Sequence, residues 1–495
     1  MQMKPIRTFL FIVVTFAVLL VVPLLFPNGK ISISGFEVRV YKTVFPLKTG
    51  SGPVLANSFL SVPTGIGMKE SIRTEQASLP DPINRDTLKN RKLQAPETQQ
   101  NFTATQVDTD IDIPPDQEAQ WARLNARFSE AALLDRPLRI LYYGDSQIEN
   151  DRITSVFRKA LQERYGGTGR GLVPVESIYN TANNFIMTAS GNWEKESVIK
   201  TKQKNLDLGL LCEAFKIRHS GTDGDSIASS WVKIRAIKSD VRSSYSILSI
   251  FYRAAANSHV SVSLNKNKQI VRELSTGNDV HELRVNLVEI PEDVELNFST
   301  SSEITVYGLN LESPRGIMVD NIALRGCSYP GFTRIDTTRL KQMAELLKPS
   351  VVILQYGVNV VPKVTTDYTF YKDDLTRELA CLRAVLPDTP VLLVSVSDMA
   401  CKMDGELESY PNIEDVLKTQ EEVARENNCA FWNLYESMGG KGSMINWVER
   451  QPPLGNTDYV HYTSLGAERV GGLFAGKFIK ALEFEKATAS IINEP

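Results

Sequence analysis

Four short stretches of the 495-residue chain carry side chains that together could transfer an acyl group. They contain Ser146 in a Gly-Asp-Ser turn, Gly326, Asn359, and Asp458 with His461. A serine hydroxyl is a weak nucleophile until an imidazole removes its proton, and the imidazole needs a carboxylate to fix its tautomer. Asp458 and His461 are close enough in sequence to touch within one turn of chain. These residue types predict Ser146 as nucleophile, His461 as base and Asp458 as its orienting carboxylate.

The same set supplies donors for an oxyanion hole. The backbone N–H groups of Ser146 and Gly326 and the side-chain amide of Asn359 are the right kinds, and losing one such donor commonly costs about 10²–10³ in turnover. Each residue alone has a simpler explanation, because glycine ends strands, asparagine caps turns and Asp-His pairs form on surfaces. The joint pattern, with every member at a strand end or in a loop, favours catalysis. His461 is also the only one of the four histidines outside the β-rich middle of the chain.

These residues need a sheet to bring them together, and the hydrophobic pattern predicts one. Ser146 follows the apolar run 138–143 and precedes a helical segment, 152–165. Further strands are predicted at 317–326, 351–356, 391–396 and 430–435, and helices at 337–347, 373–385, 413–427 and 464–482. Continuous apolar strands alternating with helices indicate a parallel sheet covered on both faces. Such sheets bind ligands outside the carboxyl ends of their strands, which is where the candidate residues fall.

The middle of the chain has a different character. Between 185 and 312, short alternating segments recur at roughly ten-residue spacing between turn residues, as in an antiparallel β-sandwich or jelly roll. Its aromatic residues Trp193, Trp231 and Tyr252 fit either a sandwich core or a sugar-stacking platform. The glycine-rich stretch 167–171 just before it lacks the Gly-Lys-Ser/Thr ending of a phosphate loop, so we expect a compact turn.

The N-terminus predicts a membrane segment. Lys4 and Arg7 precede an unbroken apolar run, 9–26, long enough to cross most of a hydrocarbon core of about 30 Å. A cleaved signal peptide is the alternative, but no small-x-small cleavage site follows the run. The positive N-terminal flank predicts that the rest of the chain lies outside the cytoplasm, in the periplasm or at the cell surface.

The remaining N-terminal sequence predicts a hairpin at 31–46 and a flexible spacer at 48–115, which is rich in Ser, Thr, Pro and Asn. We therefore divide the chain into five parts, which are an anchor (1–30), a membrane-proximal segment and linker (31–115), the first part of an α/β domain (116–184), an inserted β-sandwich (185–312) and the second part of the α/β domain (313–495).

Composition excludes several classes of function. The formal net charge is -3 with both signs interspersed, which gives no electrostatic reason to expect nucleic acid. The five cysteines form no Cys-x-x-Cys pair and no repeated spacing, so neither a zinc site nor a disulfide framework is predicted. No metal or cofactor is expected, because a serine site supplies its own nucleophile and base.

The four stretches resemble the sequence blocks of the SGNH (GDSL) hydrolases. The matching residues are Gly144-Asp145-Ser146, Gly326, Gly357-x-Asn359 and Asp458-x-x-His461. The resemblance implies a flavodoxin-like three-layer α/β/α fold with Ser, Gly, Asn and His in the roles given above. This chain departs from the family pattern in having Val360 after Asn359, and Gly326 within Arg-Gly-Cys-Ser-Tyr.

A narrower likeness is to peptidoglycan O-acetylesterases. The first block is extended, with GDSQI followed by D-x-I-T and GG-x-G-x-G, as in those enzymes. A carbohydrate-binding-like β module between the serine and glycine blocks and the stretch 439–447 are also similar. The resemblance implies removal of O-acetyl groups from a cell-envelope glycan. Two alternatives stay open, an O-acetyltransferase that uses the same residues with a membrane acetyl donor, and a glycan-binding envelope protein without catalysis.

Overall fold

The computed structural model describes residues 30–33, 36–39, 109–176, 181–182, 185–218, 227–236, 244–265, 268–288 and 291–492. The chain forms two compact units, Met1–Glu97 and Thr98–Pro495. In the first unit, β1 (Lys30–Ile33) and β2 (Phe36–Arg39) pair antiparallel, which confirms the predicted hairpin. The apolar run 9–26 lies outside the described residues. Within those ranges, no helix combines the length and apolarity needed to span a membrane.

The second unit is built on a five-stranded sheet in which all neighbours run parallel. Its strands in chain order are β3 (Leu138–Gly144), β16 (Ile317–Ala323), β17 (Pro349–Gln355), β18 (Val391–Val394) and β21 (Ala430–Trp432). Their spatial order, β16-β3-β17-β18-β21, places the first strand second and is the 2-1-3-4-5 order of flavodoxin-like folds. Strand β3, which leads to Ser146, therefore lies between the strands that lead to Gly326 and Asn359.

Helices cover both faces of this sheet. They are α1 (Glu118–Ser129), α2 (Thr154–Tyr165), α3 (Thr337–Leu347), α4 (Thr369–Val385), α5 (Ile413–Glu426), α6 (Leu434–Met438), α7 (Ser443–Glu449) and α8 (Ser464–Ile492). Successive residues of a strand point to opposite faces, so Ile140 and Tyr142 join the core with α1, α2 and α8. Leu141 and Tyr143 join the opposite core with α3, α4 and α5. The three-layer α/β/α architecture is thereby confirmed.

The β-rich middle forms two antiparallel six-stranded sheets packed face to face over one apolar core. The strands are β4 (Gly169–Val173), β5 (Thr181–Ala182), β6 (Phe185–Ala189), β7 (Glu194–Ser197), β8 (Glu213–Arg218), β9 (Ala228–Ala236), β10 (Ile247–Ala254), β11 (Ser258–Leu264), β12 (Lys268–Glu273), β13 (His281–Asn286), β14 (Asp293–Thr300) and β15 (Glu303–Glu312). One sheet is β13-β10-β15-β8-β7 with β4 also on β15, and the other is β12-β11-β14-β9-β6-β5.

The glycine-rich stretch 167–171 is not the compact turn that we expected, because it leads directly into strand β4, which pairs with β15. Glycine is needed here for positive φ angles, +102° at Gly169 and +81° at Gly171, and for close approach of neighbouring atoms. A Cβ at Gly169 would collide with the carbonyl oxygen of Leu311, and one at Gly171 with the carboxylate of Asp320. The sandwich strands thus begin before the predicted boundary at 185.

A buried ionic cluster joins the sandwich to the parallel sheet. Arg139 of β3 donates to both carboxylate oxygens of Asp320 on β16, and also to Glu312 on β15. Leu172 of β4 donates its backbone N–H to Asp320 Oδ1 over 2.8 Å. The three charged side chains are almost fully buried, so each depends on the others for compensation.

One predicted domain boundary needs correction, and the structure separates the two uses considered for the sandwich aromatic residues. The ordered α/β unit includes residues before 116, because Asp112 exchanges two backbone hydrogen bonds of 2.8 and 2.9 Å with Phe431 of β21 and Ile111 is buried. Trp193 and Tyr252 lie in the sandwich core, whereas Trp231 is half-buried on the outer side of its strand. The three aromatic residues therefore do not form a common platform.

Candidate active site

Ser146 lies where β3 ends and a short 3-10 helix begins. Gly144 closes the strand in a crowded place, since a Cβ there would lie 2.9 Å from Ile148 Cδ1 and 3.0 Å from the carbonyl oxygen of Gln355. Asp145 then caps the helix by accepting the backbone N–H of Gln147 over 3.0 Å. This turn lifts the Ser146 hydroxyl out of the sheet edge while the residue stays 94% buried, with 6% of its surface exposed.

The Ser146 hydroxyl meets His461 from the far end of the chain. Ser146 Oγ and His461 Nε2 are 2.8 Å apart, and His461 Nδ1 is 2.8 Å from Asp458 Oδ2. Because a carboxylate only accepts hydrogen bonds, this network assigns the imidazole proton to Nδ1 and leaves Nε2 to accept the serine proton. The residues predicted as nucleophile, base and orienting carboxylate are thus linked by hydrogen bonds in that order.

Asp458 is held by its own turn as well as by the imidazole. Its Oδ1 accepts the backbone N–H groups of Val460 over 3.0 Å and of His461 over 2.9 Å. Partial burial acts to raise the pKa of Asp458, but the hydrogen bonds from the His461 backbone and ring and from Val460 outweigh it and lower that pKa below its usual range. The carboxylate therefore stays ionised wherever a histidine can act as a base.

The loop before α8 fixes the position of His461. Asn456 accepts the Tyr459 N–H over 2.9 Å and donates its own backbone N–H to the His461 carbonyl over 2.8 Å. Gln147, the residue after the nucleophile, donates from Nε2 to the Val460 carbonyl over 2.8 Å. The nucleophile turn and the histidine loop are therefore tied to each other directly, beyond the contact between their reactive atoms.

Gly326 and Asn359 lie at the same edge of the sheet as Ser146. In the strand register Ala323 and Gln355 both pair with Gly144, so the loops after β16 and β17 begin beside the nucleophile turn. Asn359 donates from Nδ2 to the Cys327 carbonyl over 2.9 Å and thereby links the two loops. A side-chain amide has two N–H donors, and this bond uses one of them.

Gly326 is exposed, and its φ of +78° lies in the left-handed region that favours glycine. No atom lies within 4 Å of the place where a Cβ would be, so the approach to this backbone segment is open. The structure thus places all five predicted site residues at one edge of the sheet, with Gly326 and Asn359 on either side of the triad strand.

Arg152 is a supporting residue that the sequence reasoning missed. It donates from Nη2 to the Ser146 carbonyl over 2.6 Å and from Nη1 to the Tyr462 carbonyl over 3.3 Å, so one guanidinium bridges the nucleophile turn and the histidine loop. In the sequence, Arg152 looks like an ordinary polar residue at a helix start, and only the distant contact to Tyr462 identifies its role.

Asp145, next to the nucleophile, is an unusual carboxyl group. It is 1% exposed, and its Oδ2 has no hydrogen-bond partner. Burial raises its pKa to about 7, and nearby Glu149 adds to the rise, while the N–H of Gln147 opposes it. Below about pH 7 the carboxyl group next to Ser146 in this turn is therefore neutral.

The described residues show no group of His, Cys, Asp and Glu side chains that could hold a metal ion. The geometry provides a proton-accepting imidazole at a serine hydroxyl, beside two loops with candidate oxyanion donors. This arrangement can carry out acyl transfer through serine.

No protein-family model matches the chain, and no curated protein matches its sequence. A solved peptidoglycan O-acetylesterase matches with a TM-score of 0.58 and 20% identity, covering 73% of this chain and 96% of that chain. A family two carbohydrate esterase from Cellvibrio japonicus is 9% identical with a TM-score of 0.24, covering 60% of this chain and 98% of the other. An acetyl xylan esterase is 20% identical with a TM-score of 0.23, covering 32% and 80%.

The first of these matches establishes the fold. The chain has the three-layer architecture that the SGNH resemblance implied and the inserted β-sandwich that its alternating segments predicted, and it shares its fold with a peptidoglycan O-acetylesterase. Coverage of 73% of the chain exceeds what the α/β part alone can supply, so the shared fold extends into the sandwich.

Proposed function

We propose that the protein is a serine esterase that removes O-acetyl groups from a cell-envelope glycan, and that this glycan is peptidoglycan. The proposal rests on one observation at the carboxyl edge of the parallel sheet. His461 lies 2.8 Å from Ser146 Oγ through Nε2 and 2.8 Å from Asp458 Oδ2 through Nδ1. Such an arrangement activates a serine hydroxyl for nucleophilic catalysis, because the adjacent imidazole can take its proton.

The reaction follows from this geometry. His461 Nε2 takes the Ser146 proton as Oγ attacks the acetyl carbonyl, and Asp458 stabilises the imidazolium that results. The imidazolium then protonates the departing sugar oxygen, which leaves an acetyl ester on Ser146. His461 next deprotonates a water molecule, which attacks this ester and releases acetate, returning the proton to Ser146.

The negative oxygen of each tetrahedral intermediate needs donors in place. The backbone N–H groups of Ser146 and Gly326 and the Asn359 amide fill this role in the proposal, and the bond from Asn359 to the Cys327 carbonyl fixes the amide before substrate arrives. The left-handed backbone at Gly326 orients its N–H in a loop that the solvent reaches.

The choice of a glycan ester rests on the shared fold with a peptidoglycan O-acetylesterase, including its extension into the sandwich. We further propose that the apolar run 9–26 anchors the chain and that the site lies outside the cytoplasmic membrane, where such a glycan is found. Protease treatment of intact spheroplasts tests this location, because a cytoplasmic site would leave the protein protected.

The test is acetate release by the full-length protein from O-acetylated peptidoglycan, alongside p-nitrophenol release from p-nitrophenyl acetate. We expect Ser146→Ala and His461→Ala to lose both activities. His259→Ala and Ser263→Ala, in the sandwich, are matched controls that should retain them. Acetate release unaffected by Ser146→Ala would refute the proposal.

The same assay separates hydrolysis from transfer, since both routes share the acyl-enzyme on Ser146. Deacetylated peptidoglycan is added as an acceptor, and its acetylation is followed together with acetate release. An esterase releases acetate with or without the acceptor. Acetyl groups that appear only on the acceptor would replace the esterase with an O-acetyltransferase.

A further inference from the structure

A cavity of about 220 Å³ lies at the end of β3 opposite to Ser146. It is bounded by the segment before β3 and by the sandwich sheet that contains β13, β10 and β15. Strand β3 has seven residues, which at about 3.3 Å each span roughly 20 Å. The cavity is therefore separate from the nucleophile and from the loops that surround it.

The lining of this cavity is mainly polar. Its polar side chains come from both parts of the domain, and they include Arg136, Arg139, Glu282, Arg284, Asn310 and Glu312. Arg139, Asn310 and Glu312 are almost fully buried, and Arg139 donates to the other two. These three side chains therefore satisfy one another, and the capacity to bind a ligand lies with the rest of the lining.

Two arginines of the lining have N–H donors that the protein does not use. Arg136 donates from Nη2 to the carbonyls of Leu346 and Leu347 over 3.1 and 3.2 Å. Its Nε is buried and has no hydrogen-bond partner among the described residues. Arg284 is 40% exposed, and its Nη1 lies 4.0 Å from Glu312 Oε1, too far for a hydrogen bond. A buried donor without a partner is costly, so acceptor atoms of a ligand are favoured here.

The cavity nevertheless has no surplus of positive charge. Burial and the neighbouring Arg139 lower the pKa of Arg136, while the carboxylates of Glu312, Asp135 and Glu282 oppose that shift. All three of these carboxylates belong to the lining, and so do three guanidinium groups. A simple anion would be attracted and repelled about equally, whereas a ligand that carries both charges can pair with both sets.

We propose that this cavity binds a zwitterionic α-amino acid, with its carboxylate on Arg136 and Arg284 and its ammonium group on Glu282. A guanidinium presents a fork of N–H donors that matches a carboxylate. Glu282 accepts the Ser249 hydroxyl through Oε1 over 2.6 Å, which leaves Oε2 as an acceptor for the ammonium group. The volume equals that of about seven water molecules at about 30 Å³ each, which is enough for a small amino acid.

Such a ligand would contact the α/β part through Arg136 and the sandwich through β13, so its binding should stabilise the folded protein. The test is isothermal titration calorimetry of L-alanine and D-alanine into the full-length protein, with Tm measured over the same concentrations. Propionate lacks the ammonium group, ethylamine lacks the carboxylate, and glucose represents a neutral polyol. The variants are Arg284→Gln and Glu282→Gln. Arg272→Gln, at an exposed position of β12 in the other sheet, is the matched control.

We expect alanine to bind the wild type and to raise its Tm. Arg284→Gln and Glu282→Gln should each raise the Kd for alanine by about tenfold or more, equivalent to about 1.4 kcal/mol, because each removes a hydrogen bond to a charged group. Propionate and ethylamine should bind at least about tenfold more weakly than alanine for the same reason. Arg272→Gln should leave the Kd unchanged.

Several results would overturn the inference. Propionate that binds as tightly as alanine would make the cavity a simple anion site. Binding of glucose instead of alanine, or neither heat nor a Tm shift with either enantiomer, would exclude an amino-acid site. An unchanged Kd in both variants would place alanine elsewhere on the protein. If the ligand-free Tm shows that one variant does not fold, the other variant decides. None of these measurements involves Ser146, so the inference and the proposed esterase function fail separately.

Discussion

Replacing Asp458 with asparagine tests whether the carboxylate sets the tautomer of His461. In the structure Oδ1 accepts two backbone N–H groups, from Val460 and His461, and Oδ2 accepts the ring Nδ1 proton. An asparagine keeps both backbone bonds only if its carbonyl oxygen takes the Oδ1 place. Its amide then faces Nδ1 and donates to it, which moves the ring proton to Nε2.

The size of the effect follows from this reversal. With the proton on Nε2, His461 cannot accept the Ser146 proton across their 2.8 Å contact. Wrong-tautomer substitutions of this kind reduce kcat by about 10⁴ in the well-studied serine protease triad, equivalent to about 5.4 kcal/mol of transition-state stabilisation. Because the Asp458 side chain is 51% exposed, water can partly restore the productive tautomer, and we expect a reduction of about 10³.

The assay is p-nitrophenyl acetate hydrolysis by wild type and Asp458→Asn, with denaturant unfolding of both. We expect kcat to fall while the free energy of unfolding changes by less than about 0.5 kcal/mol, as is usual for surface substitutions, because both Oδ1 bonds remain. A variant that retains more than a tenth of wild-type kcat would refute the assigned tautomer. Lost activity together with large destabilisation would instead mean that the turn itself had collapsed.

Three further predictions concern the donors and the buried charges. Asn359→Ala should lower kcat by about 10²–10³ through loss of an oxyanion donor, measured by p-nitrophenyl acetate hydrolysis. The raised pKa of Asp145, about 7, means that the native state keeps a proton that the unfolded chain releases near pH 4, so wild-type stability should fall as pH rises from about 4 to 7. Between pH 5 and pH 8 this loss amounts to about 2.7 kcal/mol in the wild type, and Asp145→Asn should abolish it, as measured by denaturant unfolding at the two pH values. Arg139→Met should destabilise the fold by about 3–5 kcal/mol because Asp320 and Glu312 would stay buried without their cation.

Each of these predictions has a contradicting result. If Asn359→Ala lowers kcat by less than threefold, its amide is not an oxyanion donor. Parallel pH dependences for wild type and Asp145→Asn would show that Asp145 ionises as an ordinary carboxyl group. An Arg139→Met protein of wild-type stability would mean that water, rather than the arginine, compensates Asp320 and Glu312.

Local sequence predicted most strands and helices of the α/β part, although α6 and α7 were missed and the strand predicted at 430–435 ends at Trp432. The helix predicted at 337–347 is α3 to the residue, and the apolar runs at 138–143 and 391–396 became β3 and β18 with small end shifts. Continuous apolar strands carry this information because both faces are buried, so the pattern needs no knowledge of the neighbours. The hairpin of β19 (Ala400–Met403) and β20 (Glu406–Ser409) was missed, since most of it is exposed and polar.

The sequence also determined which residues make up the candidate site. Asp458 and His461 lie within one turn, and Ser146, Gly326 and Asn359 each follow a predicted strand. Parallel strands end at a common edge, so strand ends alone were enough to predict that these residues meet.

Tertiary structure decided everything that depends on a partner far away in the chain. The glycines near 169 look like a turn in sequence, and only the close approach of β15 makes them a strand. The bridge from Arg152 to Tyr462 and the burial of Asp145 likewise depend on which loops the sheet order brings together. The spacing of apolar residues indicates which side of each segment faces a core. Long-range hydrogen bonds and the desolvation of buried groups depend on the assembled fold.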